Sequence, residues 1–470
     1  MPNQSTFSQL QILIEKECSK ASFACGGSIT IKEDSTAKTK ATAQSSVPIN
    51  LFWASPKDEE IHRLTFPAQS TESSVSQLAN DCTVASFGRG DQDVVDTDYR
   101  RAGKLDTTHF ASNFHPTEFG ILENIEQILL PAMGDKANDE SHSRKLIADL
   151  YKLNVYSEPS GHFCNHVDTP RDTTQIGSLV VCLPSKFEGG NLLVRHGGQE
   201  INFDWSSKSA STVQWAAFYS DCEHEIKTVT KGHRITLTYN LHLVDMMGGA
   251  ILSPRRIVDP DTLPPYKLIK SMVGKKDFMT EGGILGFFCS HAYAHTSGDA
   301  ARRLPKNLKG ADIIIYSIFQ SLRYEVSIRP VLDEQVEFTY YKGRLVDAQM
   351  VSNMPRDMSG ANGNRKRWEN LRGRKSTKRQ QRIADLVGTE LHKEIVASAS
   401  QVETDLEELL MIEEDWPNEP IEDIHWLTSA KHYDTALTYT AYGNEPSVGY
   451  KYSYAAILVT IPAWEKRQRQ

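Results

Sequence analysis

The stretch GHFCNHVDTPR, residues 161–171, sets His166 and Asp168 two positions apart in an extended run. Alternate residues of a strand project from one face, so imidazole and carboxylate converge on a point. A turn signal comes next and leaves that point open. The pair suits two ligands of a metal, an acid/base couple, or a plain surface arrangement. A second pair, His432 and Asp434, has the same spacing, so the spacing alone decides nothing. Their downstream residues separate the two. His224 begins a later strand-like run and Arg234 lies ten residues beyond it, whereas no histidine comes after His432. The second pair is expected to be structural or superficial.

Two imidazoles and one carboxylate on one side of a metal leave three neighbouring positions open. That set suits ferrous iron, where dioxygen and a chelating co-substrate need adjacent sites. A closed zinc site requires a fourth protein ligand. Cys164 and Cys222 are near in sequence, but a thiolate would fill an open position. Arg234 adds a permanently charged planar fork that matches a carboxylate. Thr236 shares its face, and Tyr156, ten residues before His166, offers a phenol from the neighbouring strand. A metal plus a distal carboxylate clamp fits a 2-oxo diacid. Cys289, His291 and His295 in GFFCSHAYAHT have tempting spacing for a helix, yet no acid adjoins them, and no metal is expected there.

The elements that must position these groups are short. YKLNVYS, HFCNHVD, GSLVVCLP, GNLLVRH, EINFDW, TVQWAAFY, EHEIKTVT and RITLTYNLHL are eight strand-like runs with turn residues between them, the pattern of a sandwich or barrel. Gly189 and Gly190 in FEGGN are expected to form a tight turn. Cys182, Trp205, Trp215 and Phe218 are expected to pack the core. Ahead of the runs, apolar Phe119, Leu122, Ile125, Ile128 and Leu129 mark one helix face, and SHSRKLIADLYKL reads as a second helix. The expected organisation is a weakly ordered lead-in over 1–48, a small α/β preamble over 49–115, a catalytic core over 116–245 and a mixed α/β region over 246–470. In the last region LKGADIIIYSIFQSL and QQRIADLVGTELHKEIVASA look helical, and QVEFTYYKGRLVD and YKYSYAAILVTIP look extended. It also carries a basic segment (365–382) and an acidic one (403–423), read as solvated or mutually paired faces.

The motifs HVD, CEHE and HRITLTY over Tyr151 to Leu243 resemble the Fe(II)/2-oxoglutarate dioxygenases, most closely their prolyl 4-hydroxylase-like group. The longer stretches FACGGSI, LYKLNVYSEPSGHF, AAFYSDCEHEI and AYGNEPSVGYKYSYAAILV are similar to large fungal members of that superfamily. The resemblance implies an α+β chain built on a double-stranded β-helix (jelly-roll or cupin-like) core with flanking helices. It implies iron on His166, Asp168 and His224, and 2-oxoglutarate on Arg234, Tyr156 and Thr236. Dioxygen would be the second co-substrate, ascorbate a further reductant, and succinate and CO2 the co-products of hydroxylating an unactivated C–H bond. Asp168 stands where related halogenases have a small residue, so hydroxylation rather than halogen transfer is implied. A peptidyl proline is the substrate suggested at family level, with a small molecule or another protein side chain as the other choices. The rival expectations are a non-catalytic β-helix module that keeps its ligands, and a cupin-like hydrolase or isomerase.

Composition narrows the setting. The chain has 470 residues, enough for more than one core, and 17 Tyr, 17 Phe and 7 Trp to fill them. A net charge of −8 speaks against general nucleic-acid binding. Seven cysteines, at 18, 25, 82, 164, 182, 222 and 289, show neither CxxC nor disulfide spacing. With no signal-like start and no long apolar run, a cytoplasmic or nuclear location without membrane contact is expected.

Overall fold

The computed structural model describes residues 21–31, 48–55, 60–67, 72–89, 92–133, 144–168, 172, 174–245, 257–293, 304–332, 424–442 and 446–467. It also describes six positions between 8 and 16, and strand backbone at 45–46 and within 338–347. Two compact units share the chain: 19–259, and 260–470 together with 1–18.

In the first unit the strands are β1 (Ala24–Ile31), β2 (Ile49–Ala54), β3 (Ile61–Phe66), β4 (Arg100–Arg101), β5 (Gly103–Asp106) and β6 (Phe110–Ser112). Next come β7 (Arg144–Ser157), β8 (Gly161–His166), β9 (Gln175–Cys182), β10 (Phe187–Gly189), β11 (Leu192–His196), β12 (Gln199–Phe203), β13 (Thr212–Tyr219) and β14 (Glu223–Asp245). The last is the organising strand. The expected seventh and eighth runs are one strand of 23 residues, passing through Gly232 at φ 74°. Its second half lies between β7 and β9 in a major sheet ordered β1–β13–β9–β14–β7–β5. Its first half pairs with β8, β10 and β11 in a minor sheet that continues to β12 and β4. Two sheets facing each other and sharing a strand make the double-stranded β-helix, and the chain is α+β.

Alternation along the strands gives each sheet two faces. Leu153, Val155, Leu179, Val181, Ile235 and Leu237 are buried on one face of the major sheet. Helix α1 (Glu72–Asp81) and helix α2 (Ile121–Leu129) contribute to the same apolar cluster, α2 through Ile121, Leu122, Ile125 and Leu129. Each such side chain contributes about 1.5–3 kcal/mol by leaving water. Ile128, expected on that face, is exposed, and Phe119 precedes the helix in a 3-10 turn. Glu126 pins α2 to the sheet, its carboxylate accepting the Leu146 amide at 2.7 Å. Asp81 ties α1 to the preamble by accepting Trp53 Nε1–H at 2.9 Å and the Ser55 hydroxyl.

Two expectations change here. RKLIADLYKL is a strand, not a helix: β7 pairs with β14 from Arg144 to Ser157, and the cross-strand ladder outweighs a helical reading of its apolar spacing. Within the expected lead-in, β1 pairs with β13 through seven residues and adds a strand to the major sheet. Its Gly26 sits where a Cβ would come within 2.7 Å of the Phe203 ring, so the two sheets approach closely there.

The second unit has α3 (Pro264–Val273) and α4 (Gly310–Ser321), the latter as expected from LKGADIIIYSIFQSL. Its sheet joins β15 (Gly283–Phe288), β16 (Glu325–Leu332), β17 (Ile424–Trp426), β18 (Tyr433–Tyr442) and β19 (Pro446–Ile461). The described part of GFFCSHAYAHT, residues 286–293, is therefore a strand end and loop rather than a helix. The backbone amide of His291 donates to buried Asp312, and His295 lies outside the described residues. So do QQRIADLVGTELHKEIVASA and both charged segments. Among the described residues no helix is long and apolar enough to cross a membrane.

Candidate active site

β8 and β14 run antiparallel with His166 opposite His224 in register. Asp168 lies two residues beyond His166. The ligand atoms of His166, Asp168 and His224 all lie within 4.8 Å of one another. The rings of the histidines are 4.1 Å apart between centroids, and His224 Nε2 is 3.7 Å from Asp168 Oδ1.

Each ligand is oriented by its surroundings. His166 Nδ1 meets the Cys164 carbonyl at 2.8 Å and His224 Nδ1 meets the Cys222 carbonyl at 3.1 Å. A carbonyl only accepts, so both Nδ1 atoms carry the proton and both Nε2 lone pairs are free for a metal. The Ser178 hydroxyl donates to Asp168 Oδ2 at 2.5 Å, which leaves Oδ1 on the histidine side. Phe163 stacks on His166 at 3.6 Å and Phe218 packs on His224 at 4.6 Å. Burial and the neighbouring His224 push the His166 pKa down to about 3, against a smaller opposing pull from Asp168. His166 is thus a neutral imidazole at ordinary pH, the form a metal binds. Neither Cys164 nor Cys222 belongs to the cluster: their thiols turn to the carbonyls of Asp98 and Phe23. Three ligands without a thiolate make an open site.

Further along β14, Arg234 faces Tyr156 in cross-strand register. Arg234 is 0% exposed, and its Nε, Nη1 and Nη2 all lack an acceptor among the described residues. Its guanidinium lies 5.0 Å from the Trp205 ring and 5.6 Å from the Tyr156 ring. Desolvation pulls its pKa down, offset in part by Cys182 and Tyr156. A guanidinium has five N–H donors, and burying them unpaired is costly. Such a group fits an incoming carboxylate, which supplies both the charge and the acceptors. Thr236, two residues on, is buried on the same face, its hydroxyl making a long 3.5 Å contact to the Asn154 carbonyl. Gly190 lies against the clamp: a Cβ there would come 3.0 Å from Arg234 Cδ. Gly189 and Gly190 have φ of 75° and 66°, the turn expected of FEGGN. Trp205 is buried in the core as expected, and its ring also lies against the Arg234 guanidinium. Its type and position gave no sign of that, because residues at the edge of a 3-10 turn carry no face alternation. His432 lies just ahead of β18 in the other unit.

A two-sheet β-helix with an open two-histidine, one-carboxylate cluster and an unmatched arginine defines a 2-oxoglutarate-dependent oxygenase. The profile of the 2OG-Fe(II) oxygenase superfamily matches residues 151–242, the stretch from β7 to β14, and the enzyme uses Fe(II), 2-oxoglutarate and O2. Among solved structures, the chain is similar to a prolyl hydroxylase from Trichoplax adhaerens in complex with a hypoxia inducible factor oxygen degradation domain peptide fragment. That likeness has 13% identity and a TM-score of 0.25, covering 51% of this chain and 91% of that one. A prolyl-4-hydroxylase from Pseudomonas putida is similar at 12% identity and a TM-score of 0.26, covering 50% and 99%. No curated protein matches the chain.

Proposed function

We propose that the chain hydroxylates an unactivated C–H bond, with iron held by His166, Asp168 and His224 and 2-oxoglutarate held at its far carboxylate by Arg234, Tyr156 and Thr236. The observation that carries this reading is Arg234, a fully buried fork with no acceptor among the described residues, on the strand that also presents His224. When bound, iron and 2-oxoglutarate would let O2 act as the oxidant, one oxygen atom going to the C–H bond and the other into succinate as CO2 leaves. The chain's own part is to present and enclose. The carbonyls of Cys164 and Cys222 keep both Nε2 lone pairs available, and Ser178 turns Asp168 toward them. Arg234 neutralises the distal carboxylate, while Trp205 and Tyr156 keep water from its guanidinium. We assign the catalytic core to 116–245 and group the chain with the large fungal members its motifs resemble. A peptidyl proline is the substrate that the family resemblance suggests, and a small molecule is the other class to assay beside it.

Succinate formation from labelled 2-oxoglutarate, with Fe(II) and O2 each withheld in turn, tests the reading. Strict dependence on both, lost in Asp168→Ala and His224→Ala, supports it. Turnover in His224→Ala equal to wild type would refute the ligand assignment, and no succinate from the iron-loaded chain would favour a non-catalytic module.

A further inference from the structure

A second buried arginine lies between the sheets. Arg100 is 8% exposed; its Nη1 donates to the Ser86 carbonyl at 2.6 Å and its Nη2 to Asn154 Oδ1 at 2.8 Å. Its Nε–H has no acceptor among the described residues. The guanidinium sits 4.4 Å over the Phe163 ring, and Phe163 stacks on His166. Asn154 stands two residues from Tyr156 on β7, on the clamp's side of the major sheet, whereas Phe163 belongs to the minor sheet. Arg100 therefore bridges the interior, one aromatic ring away from His166.

Both acceptors of Arg100 are neutral, and no carboxylate among the described residues pairs with it. On the oxygenase reading, Fe(II) and Arg234 bring three positive charges, and Asp168 with a doubly ionised 2-oxoglutarate brings three negative ones. Those cancel, and Arg100 is left over. A buried charge left without a counter-ion is costly, and the Nε–H is the donor that still lacks an acceptor among the described residues.

We propose that Arg100 anchors the substrate and that the substrate is a small carboxylic acid, its carboxylate accepting from the buried, unmatched Nε–H of this guanidinium. Only a slender group reaches a residue buried this deeply between two sheets. The assignment rests on the oxygenase reading of the site.

The test uses the full chain loaded with Mn(II) and saturated with 2-oxoglutarate, so that Arg234 is occupied. Fluorine NMR relaxation of trifluoroacetate is compared with that of trifluoroacetamide, a probe of similar shape without the charge. The expected result is faster relaxation of the acid than of the amide. Arg100→Gln is expected to weaken acid binding about tenfold or more, and Arg100→Lys to retain part of it. Asn154→Asp gives Arg100 an internal carboxylate at nearly constant volume and is expected to remove acid binding while Mn(II) still binds. That second variant guards against a fold lost through Arg100 itself. Equal relaxation of acid and amide in wild type, or unchanged acid binding in Arg100→Gln and Asn154→Asp, overturns the proposal. Failure of the wild type to bind Mn(II) or 2-oxoglutarate would instead overturn the oxygenase reading, and this inference with it.

Discussion

Removing the Arg234 guanidinium should have two effects of opposite sign. Without co-substrate, the residue is a fully buried cation whose three nitrogens lack acceptors among the described residues. Arg234→Met replaces it with an apolar chain that the Trp205 and Tyr156 rings accommodate, so the ligand-free variant should be more stable by about 1–3 kcal/mol, the cost of an unsatisfied buried group. With 2-oxoglutarate present the sign reverses. Two charge-assisted hydrogen bonds at about 1.5–3 kcal/mol each are lost, which is roughly two to four orders of magnitude in Kd. Arg234→Lys keeps the charge but not the fork and should lose about ten- to a hundredfold, while Tyr156→Phe removes one neutral donor and should lose about two- to tenfold. The assay is urea denaturation of the Mn(II)-loaded chain with and without 2-oxoglutarate, alongside calorimetric titration. At a hundred times its Kd, 2-oxoglutarate should stabilise wild type by about 2.7 kcal/mol and Arg234→Met by no more than about 0.4 kcal/mol at the same concentration. If Arg234→Met is stabilised as much as wild type, the diacid does not bind at Arg234. If it is less stable than wild type without ligand, the guanidinium has a counter-charge in the free protein and the reversal of sign is refuted.

Ser178→Ala frees Asp168 Oδ2 and should weaken iron binding about tenfold, read by competition with a chelator; an unchanged affinity would mean Asp168 is held by something else. His432→Ala should leave iron content unchanged, and iron lost from that variant with the fold intact would move the site to the second unit. Gly190→Ala puts a Cβ against Arg234 Cδ and Val229 at a positive φ, so it should cost about 1 kcal/mol or more of stability and weaken 2-oxoglutarate binding. The His166 pKa falls from 6.5 to about 3 on folding, so the unfolded chain binds the extra proton between those values. The metal-free protein should therefore lose stability as pH falls from about 6.5 toward about 3, with no contribution from this group above 6.5. Urea midpoints at pH 7 and pH 5 should draw together in His166→Asn.

The convergence of His166, Asp168 and His224 was legible because strand parity and turn signals are local. His166 and Asp168 declare their shared face by spacing, and His224 and Arg234 fall on runs with clear boundaries. What stayed hidden is long-range. RKLIADLYKL satisfies a helical spacing about as well as a strand, and only the partner strand 84 to 101 residues away decides between them. FACGGSIT falls within the expected weakly ordered lead-in, yet its glycines let β1 approach Phe203 and Trp215. Trp205 and Arg100 carry no periodic signature at all. Their roles come from what stands opposite, Arg234 for one and Phe163 for the other.

The long strand β14 acts as a ruler. His224 and Arg234 are ten residues apart on it and both are buried, although the strand has register shifts between them and changes sheets near Gly232. The span between the His166, Asp168, His224 cluster and Arg234 is thereby written in strand backbone, not in loop. A single residue gained or lost between them would turn the arginine to the outer, apolar face and put Ile235 or His233 in its place. Length changes in this gene are thus far more damaging in these ten codons than substitutions are, and variation that survives there should be in side-chain identity alone.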